Sequence, residues 1–126
     1  MTAAVVDLVV EQGVDWTLEA DYQDDVTDLT TSIAKLTVKR PYTNEVVFDL
    51  ESPTEINLSE SNRLVLTIPA ETTRTIFYLP TSVFRRNRRR VTLLGDYDLV
   101  LQTQAGKVSR QMQGRMYMAV GVTQIL

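Results

Sequence analysis

The chain has 126 residues, a length typical of one domain, and its 44% hydrophobic and 23% charged composition is ordinary for a globular protein. Cysteine and histidine are both absent, which excludes disulfides, the usual zinc sites, cysteine nucleophiles and imidazole bases. No apolar run is long enough to predict a membrane span. The first residues lack the basic and apolar regions of a secretion signal, so we expect the protein to mature in a cytoplasm.

The net charge of −3 conceals two halves of opposite charge. Residues 1–60 carry 13 acids against three bases, a net of −10, whereas residues 61–126 carry ten bases against three acids, a net of +7. Such a chain could pair its two halves within itself or pair with copies of itself. The acidic balance and the lack of a second basic patch argue against nucleic acid as a partner.

Strand periodicity runs through most of the chain, beginning with an opening strand from Val5 to Val10. In the next strand Trp16, Leu18, Ala20 and Tyr22 fall on one face, and polar residues alternate with them. The same alternation recurs in five further rows: Ala34, Leu36, Val38; Val46, Phe48, Leu50; Ile56, Leu58; Leu64, Leu66, Ile68; and Tyr97, Leu99, Leu101. Each row is predicted to face one common core.

Only the segment 70–76, after Pro69, has a helical pattern, and it is short. The sequence 104–107 predicts a hairpin turn with Gly106 at positive φ. The stretch from Lys107 to about Val122 that follows is predicted to be either a long last strand or a strand bent at Gly114, where a bulge is easy. About eight strands with turns between them predict a single domain over residues 1–126. The expected fold is all-β, an antiparallel immunoglobulin-like sandwich with one short helix, and a small closed barrel is the alternative.

Two groups of carboxylates could be functional sites, one for a metal ion and one for catalysis. Asp21, Asp24, Asp25 and Asp28 form an acidic turn, but their spacing lacks the order of a calcium loop, so no metal is expected. Asp96 and Asp98 share one strand face, as a catalytic pair would, but that face is opposite the core row and no third group accompanies them. We therefore predict solvent-facing charges, no cofactor and no enzyme activity.

Trp16 and three methionines have two interpretations each. Trp16 could be a platform for stacking a sugar, but its alternation groups it with Leu18 and Ala20 in the core. Met112, Met116 and Met118 lie two or four residues apart on the last strand, and either fill the core or form an adaptable contact surface. The core is the default for all four residues.

The most unusual segment has five arginines in six positions, within what the sequence predicts to be an inserted loop at about 77–91. A solvated loop and a phosphate-binding patch are the alternatives to an arm that docks on carboxylates of another subunit. The interface interpretation is favoured because arginine suits bidentate carboxylate contacts and the first half supplies the acids. The predicted interface residues are Arg85, Arg86, Arg88, Arg89, Arg90 and the apolar Ile125 and Leu126.

An ordered set of local patterns carries a family resemblance. The patterns are the ranges 11–18, 28–30 leading into 34–40, 64–73, 95–99 (Gly-Asp-Tyr-Asp-Leu), 106–108 and 113–115. Together they resemble small immunoglobulin-like structural proteins of tailed phages. In that family the domain is similar to the amino-terminal module of baseplate proteins that anchor receptor-binding parts. The resemblance breaks between Phe77 and Val91, where this chain inserts its arginine-rich segment.

The resemblance implies a structural protein of a phage virion, in tail, baseplate or fibre attachment, assembled in the host cytoplasm. Its partners would be other virion proteins and copies of itself. Two alternatives stay open at this point: a carbohydrate- or receptor-binding adhesion module, and a head decoration protein.

Overall fold

The computed structural model describes residues 4–21, 28–60 and 62–121. Within them the chain forms ten strands and one α-helix, together with two 3₁₀ helices at Leu29–Thr31 and Pro80–Ser82. The elements in chain order are β1 (Ala4–Val5), β2 (Leu8–Glu11), β3 (Trp16–Asp21), β4 (Ile33–Lys39), β5 (Val46–Glu51), β6 (Ile56–Glu60), β7 (Arg63–Ile68), α1 (Ala70–Arg74), β8 (Phe84–Arg86), β9 (Arg89–Gln102) and β10 (Val108–Ala119).

The strands form two separate sheets. In the larger sheet β1 and β2 lie along one side of β10, which is followed by β9, β4 and β5, and β8 pairs with the first residues of β9. The smaller sheet has the order β3-β7-β6. These orders correspond to the G-F-C-C′ and B-E-D strands of a variable-type immunoglobulin domain. The predicted immunoglobulin-like sandwich is confirmed, and the closed barrel is not formed.

One core lies between the two sheets. The predicted rows supply it, although Val46 at the end of its row is 48% exposed. Tyr22, which was predicted in the row of Trp16, lies outside the described residues. Met116 and Met118 are fully buried, and Met112 and Trp16 pack against the core from partly exposed positions. The core interpretation of the tryptophan and of the methionines is therefore confirmed. The largest fully buried side chains are Leu29, Leu36, Leu50, Ile56, Leu64, Leu66, Ile68, Leu94, Leu99, Leu101, Met116 and Met118.

The amino-terminal segment departs from the expected antiparallel neighbours, because β1 and β2 both run parallel to β10. Their shared register is interrupted at Val6 and Asp7. There the Tyr97 hydroxyl donates a hydrogen bond of 2.5 Å to the Val6 carbonyl, while the Arg115 N–H donates to Asp7 Oδ1 at 3.1 Å. Side chains thus replace ladder hydrogen bonds at this point, and the opening strand predicted as one is split into two.

Gly114 is required where that segment crosses β10. A Cβ atom at this position would lie 2.3 Å from the Val6 carbonyl oxygen, closer than any side chain allows. The bend predicted at Gly114 is not a register shift, because the two irregularities of the β9–β10 ladder fall between Arg110 and Met112 and between Met116 and Tyr117. The glycine therefore serves close approach of the backbone.

The remaining local predictions agree with the structure. Helix α1 begins directly after Pro69, and Gly106 has a φ of 88° in the turn between β9 and β10. The connections fall at two ends of the sandwich. The end formed by residues 12–15, 40–45 and 69–90 is called the hairpin end, and the end formed by 28–32, 52–54 and 103–107 is called the opposite end.

Candidate interface at the hairpin end

The arginine-rich segment is a β-hairpin and not the loop that the sequence predicted. The 3₁₀ helix at Pro80–Ser82 leads into β8, and a two-residue turn of Asn87 and Arg88 leads into β9. Both turn residues have positive φ, 52° and 67°, as in a type I′ turn. The following strand begins at Arg89, inside the loop that was predicted at about 77–91. Strand alternation therefore assigns the arginines to two faces of the hairpin.

The outward face of the hairpin is built around Tyr117 of β10. The ring of Phe84 meets the Tyr117 ring edge to face, with centroids 6.0 Å apart, and the Arg86 guanidinium lies 4.5 Å from the Tyr117 centroid. Val91, opposite Phe84 in the ladder, is buried beside them. The cluster lies on the outer face of the sheet, apart from the sandwich core, and anchors β8 to β10.

Two of the arginines predicted to reach another subunit have carboxylate partners in their own chain. Arg86 Nη2 lies 3.6 Å from Asp7 Oδ2, and Arg89 Nη2 donates to Glu11 Oε1 at 2.6 Å. Both acids belong to the amino-terminal segment that runs along β10. Within the chain these two side chains therefore hold the hairpin to the fold, and their contact with another subunit stays a prediction.

The other face of the hairpin carries charge without compensation. Arg85 and Arg90 are directly opposite each other in the β8–β9 ladder, and both are exposed. Arg88 is exposed at the tip of the turn. None of the three forms an ion pair with another residue in the described ranges. Like charges directly opposite across a ladder are destabilising, so this arrangement costs stability in the isolated chain.

Large apolar side chains are also exposed in the connections of the hairpin end. Phe77 is 71% exposed and Leu79 57%, in the segment that leads to β8, and Tyr42 in the β4–β5 turn is fully exposed. The two connections are joined, because Arg40 Nη2 donates to the Phe77 carbonyl at 2.6 Å. Sequence reasoning missed these side chains. Their signal was an aromatic or leucine residue inside a turn segment rather than in an alternating row.

The outer face of the larger sheet has a different charge pattern. Acidic residues on β5 and β9 alternate with basic residues on β4 and β10, so that neighbouring strands carry opposite signs: Asp49 and Glu51, then Lys35 and Lys39, then Asp96 and Asp98, then Arg110 and Arg115. Lys35 Nζ lies 3.4 Å from Glu51 Oε1, and Arg110 Nε lies 3.2 Å from Asp98 Oδ2. We call this arrangement the charge ladder.

The charge ladder explains the two aspartates that resembled a catalytic pair. Asp96 and Asp98 lie on the outer face, as predicted, and Tyr97 between them is buried. Asp98 accepts from Arg110, and Asp96 is in register with Lys39 and Arg115. Opposite charges on neighbouring strands stabilise sheet pairing, which accounts for both residues without a reaction.

A shallow depression of about 440 Å³ lies on the same face near the β4–β5 turn. Its lining is polar and charged, and includes Tyr42, Asn44, Arg110 and Gln113. Within the described ranges, no three acidic, histidine or cysteine side chains are grouped as a metal site requires. The described helices are all too short to cross a membrane.

Part of two predicted sites lies outside the described residues. This holds for Asp24 and Asp25 of the acidic turn, and for Ile125 and Leu126 of the predicted interface. The neighbouring Asp28 caps the first 3₁₀ helix, accepting from Thr30 N at 3.0 Å. Hydrogen bonds from the Thr30 side chain and backbone hold the pKa of the Asp28 carboxyl below its ordinary value.

Comparison with known proteins identifies no family. No family model matches the chain, and no curated protein matches it. Among solved structures, it is similar to extracellular domains of the voltage-gated sodium channel beta4 subunit, described as parallel homodimers in cell-cell adhesion. They share 6% identity over 97% of each chain, with a TM-score of 0.41. A second structure of sodium channel beta subunits, described with multimeric cell-adhesive interactions, shares 8% identity over 93% of this chain and 92% of that one, with a TM-score of 0.43. Similarities this distant say nothing about partners or function.

Proposed function

We propose that this protein is a structural component of a tailed-phage virion, in tail, baseplate or fibre attachment, and that it acts through protein-protein contacts at its hairpin end. The observation that carries the proposal is the opposed pair Arg85 and Arg90. A like-charge pair on an exposed hairpin has a cost in the free chain that a carboxylate partner would remove. The resemblance of the ordered sequence motifs to phage structural proteins supplies the setting.

The composition of the hairpin end supports a contact surface. Arginine and aromatic residues are enriched at the centres of protein interfaces, and Phe77, Tyr42 and Arg88 are each exposed in a connection of this end. The rest of the hairpin is held firmly by the cluster around Tyr117. A rigid element that presents exposed arginines binds with less loss of conformational entropy than a flexible loop would.

Imaging of particles produced from the genome that encodes this chain tests the proposal. We expect the sandwich to be found in the tail, baseplate or fibre attachment region, with its hairpin end against a neighbouring chain. Absence from purified particles would remove the virion role. A position on the head, with the same hairpin contact, would assign the decoration role instead, and a hairpin end facing solvent would remove the interface.

A carbohydrate- or receptor-binding adhesion module is the second candidate, and the exposed Tyr42 favours it. This ring lines the polar depression on the outer face, where it could stack on a sugar. Trp16 does not serve that role, because it packs against the core. The test is a glycan-binding screen of the intact protein and its Tyr42→Ala variant. Binding that is lost in the variant supports adhesion, and no binding by the unchanged protein excludes it for the glycans screened.

A further inference from the structure

The two ends of the sandwich differ in charge. Strand β9 connects them, with Arg89 at the hairpin end and Gln102 at the opposite end, and its 14 residues span about 45 Å. Arg85, Arg88 and Arg90 are exposed at the hairpin end without partners among the described residues. At the opposite end, β3 finishes on Asp21, and Asp28 is the N-cap of the 3₁₀ helix that precedes β4.

The opposite end has more carboxylates than cations to pair with them. Arg63 is shared between Asp21, at 2.9 Å, and Glu60, at 3.7 Å, so one guanidinium faces two acids. Asp28 is exposed and forms hydrogen bonds with Thr30, which leave its negative charge in place. Lys107, in the β9–β10 turn, is the other cation that the described ranges place in the connections at this end.

Resting on the proposed function, we infer that copies of this chain associate head to tail. The exposed arginines of one hairpin end, Arg85, Arg88 and Arg90, contact the acidic end of the next copy at Asp21, Asp28 and Glu60. The hairpin end also includes Asp15, Glu45 and Glu71, but its seven arginines outnumber them, so contact between two hairpin ends would bring surfaces of like net charge together. Contact between two acidic ends would bring carboxylates together. Like-charge contacts are unfavourable, which leaves the head-to-tail arrangement.

Head-to-tail contacts have a consequence for assembly. The two surfaces in contact are different, so each copy keeps one free end, and growth continues until a ring closes or a filament forms. A second copy is favoured over nucleic acid for two reasons. The chain is acidic overall, with a net charge of −3, and Arg86, Arg89 and Arg110 are already paired with carboxylates. Three arginines at one end do not form the extended basic stripe that a polyanion requires.

Two complementary variants test this arrangement. The first, R85Q/R88Q/R90Q, neutralises three arginines of the hairpin end and leaves the acidic end intact. The second, D21N/D28N/E60Q, neutralises three carboxylates of the acidic end and leaves the hairpin end intact. Asparagine at position 28 is itself a good helix cap, so the fold should persist. In sedimentation velocity at low salt, the sedimentation coefficient of the wild-type protein should rise with protein concentration, because longer assemblies form. Each variant alone should be monomeric, with an association constant lower by about tenfold or more.

The mixture of the two variants is the decisive sample. Each partner then offers one intact end, so the expected product is a complex of two chains that does not grow further. K35Q/K39Q/R110Q, which removes three charges from the charge ladder, is the matched control and should associate as wild type does. Trp16 fluorescence and circular dichroism establish that every variant is folded before its association is compared.

Three results would overturn the inference: a monomeric wild type, a variant that associates unchanged, or a mixture without the two-chain complex. If R85Q/R88Q/R90Q also loses incorporation into particles while the acidic-end variant does not, the hairpin serves a different virion protein. The proposed function then stands and the head-to-tail contact fails. Binding of a DNA oligonucleotide that depends on the three arginines, without self-association, would assign the hairpin to nucleic acid and also overturn it.

Discussion

The two faces of one hairpin place the same residue type in opposite situations. On the outward face Arg86 and Arg89 are opposite each other, but Asp7 and Glu11 neutralise them and Tyr117 lies beneath Arg86. On the other face Arg85 and Arg90 are also opposite each other, and no acid in the described ranges approaches them. The difference separates arginines that hold the fold together from arginines that are free to contact a partner.

In the charge ladder on the rest of the sheet, neighbouring strands carry charges of opposite sign. There each cationic strand lies beside an acidic one: Lys35 and Arg110 form ion pairs across the strands, and Lys39 and Arg115 are both in register with Asp96. The exposed arginines of the hairpin are an exception to that pattern. An unbalanced surface on an otherwise balanced protein is where an external partner is expected.

The largest effect on stability is expected from removing the ring beneath the paired face. Tyr117→Ala should lower the free energy of unfolding by about 3 kcal/mol, because the ring is buried against Phe84 and Arg86. Urea unfolding followed by circular dichroism measures the change. Tyr117→Phe keeps the ring and should lose much less. An equal loss in both variants would show that the ring contacts are not what anchors the hairpin.

Neighbouring arginines on β8 should respond differently to the same substitution. Arg86→Ala removes the contact with Tyr117 and the pairing with Asp7, and should cost about 1.5 kcal/mol of stability. Arg85→Ala relieves like-charge opposition and should change stability by less than about 0.5 kcal/mol, in the direction of a gain. If both variants lose the same amount in urea unfolding, the division of the hairpin into two faces is wrong.

Tyr97 positions the acid that the paired face depends on. Its hydroxyl donates to the Val6 carbonyl next to Asp7, so Tyr97→Phe should cost about 1 kcal/mol in urea unfolding at neutral pH. Burial, and secondly the charge of Asp7, raises the pKa of Tyr97 from its ordinary value of 10.0 to about 12. Folding therefore favours the protonated phenol.

The raised pKa of Tyr97 gives stability a pH dependence of known sign. Its contribution is fully present below pH 10 and is lost as the pH rises from about 10 towards 12, because only the unfolded state then releases the proton readily. Between pH 10 and 12, the free energy of unfolding should fall less steeply with pH for Tyr97→Phe than for wild type. Parallel curves for the two proteins would contradict the assigned pKa shift.

A gain of stability is expected at the tip of the hairpin. Arg88 has a φ of 67°, a left-handed conformation that glycine adopts more easily, so Arg88→Gly should raise stability by up to about 1 kcal/mol. The same variant should weaken contacts made by the hairpin end, since it removes an exposed arginine. A loss of stability in thermal unfolding would show that Arg88 supports the turn, which would contradict the expected gain.

Most of the fold could be predicted from the alternation of apolar and polar residues along the strands. The rows of Leu36, Leu66 and Leu99 face the core as predicted, because a strand half buried in a sandwich must alternate. Alternation could not reveal the parallel pairing of the amino-terminal segment with β10. That pairing depends on Gly114 and on the Tyr97 hydroxyl, which meet Val6 from more than 90 residues away in sequence.

The site was predicted as a group of residues but not as two faces. When the five arginines are assigned to a loop, nothing distinguishes one from another. In a hairpin, the position of the turn determines which of them lie on the same face. Asn87 was the available signal, because asparagine favours the positive φ of a type I′ turn. The partners Asp7, Glu11 and Tyr117 had no local signal, since they come from strands distant in sequence.

Incorporation into particles tests the central claim most directly, namely that the exposed arginines form the contact by which this domain assembles. The measurement compares wild type with R85Q/R88Q/R90Q and with the charge-matched control K35Q/K39Q/R110Q, all verified as folded. If the three arginines form the contact, only R85Q/R88Q/R90Q should be missing from purified particles. Normal incorporation of a folded R85Q/R88Q/R90Q protein would contradict it.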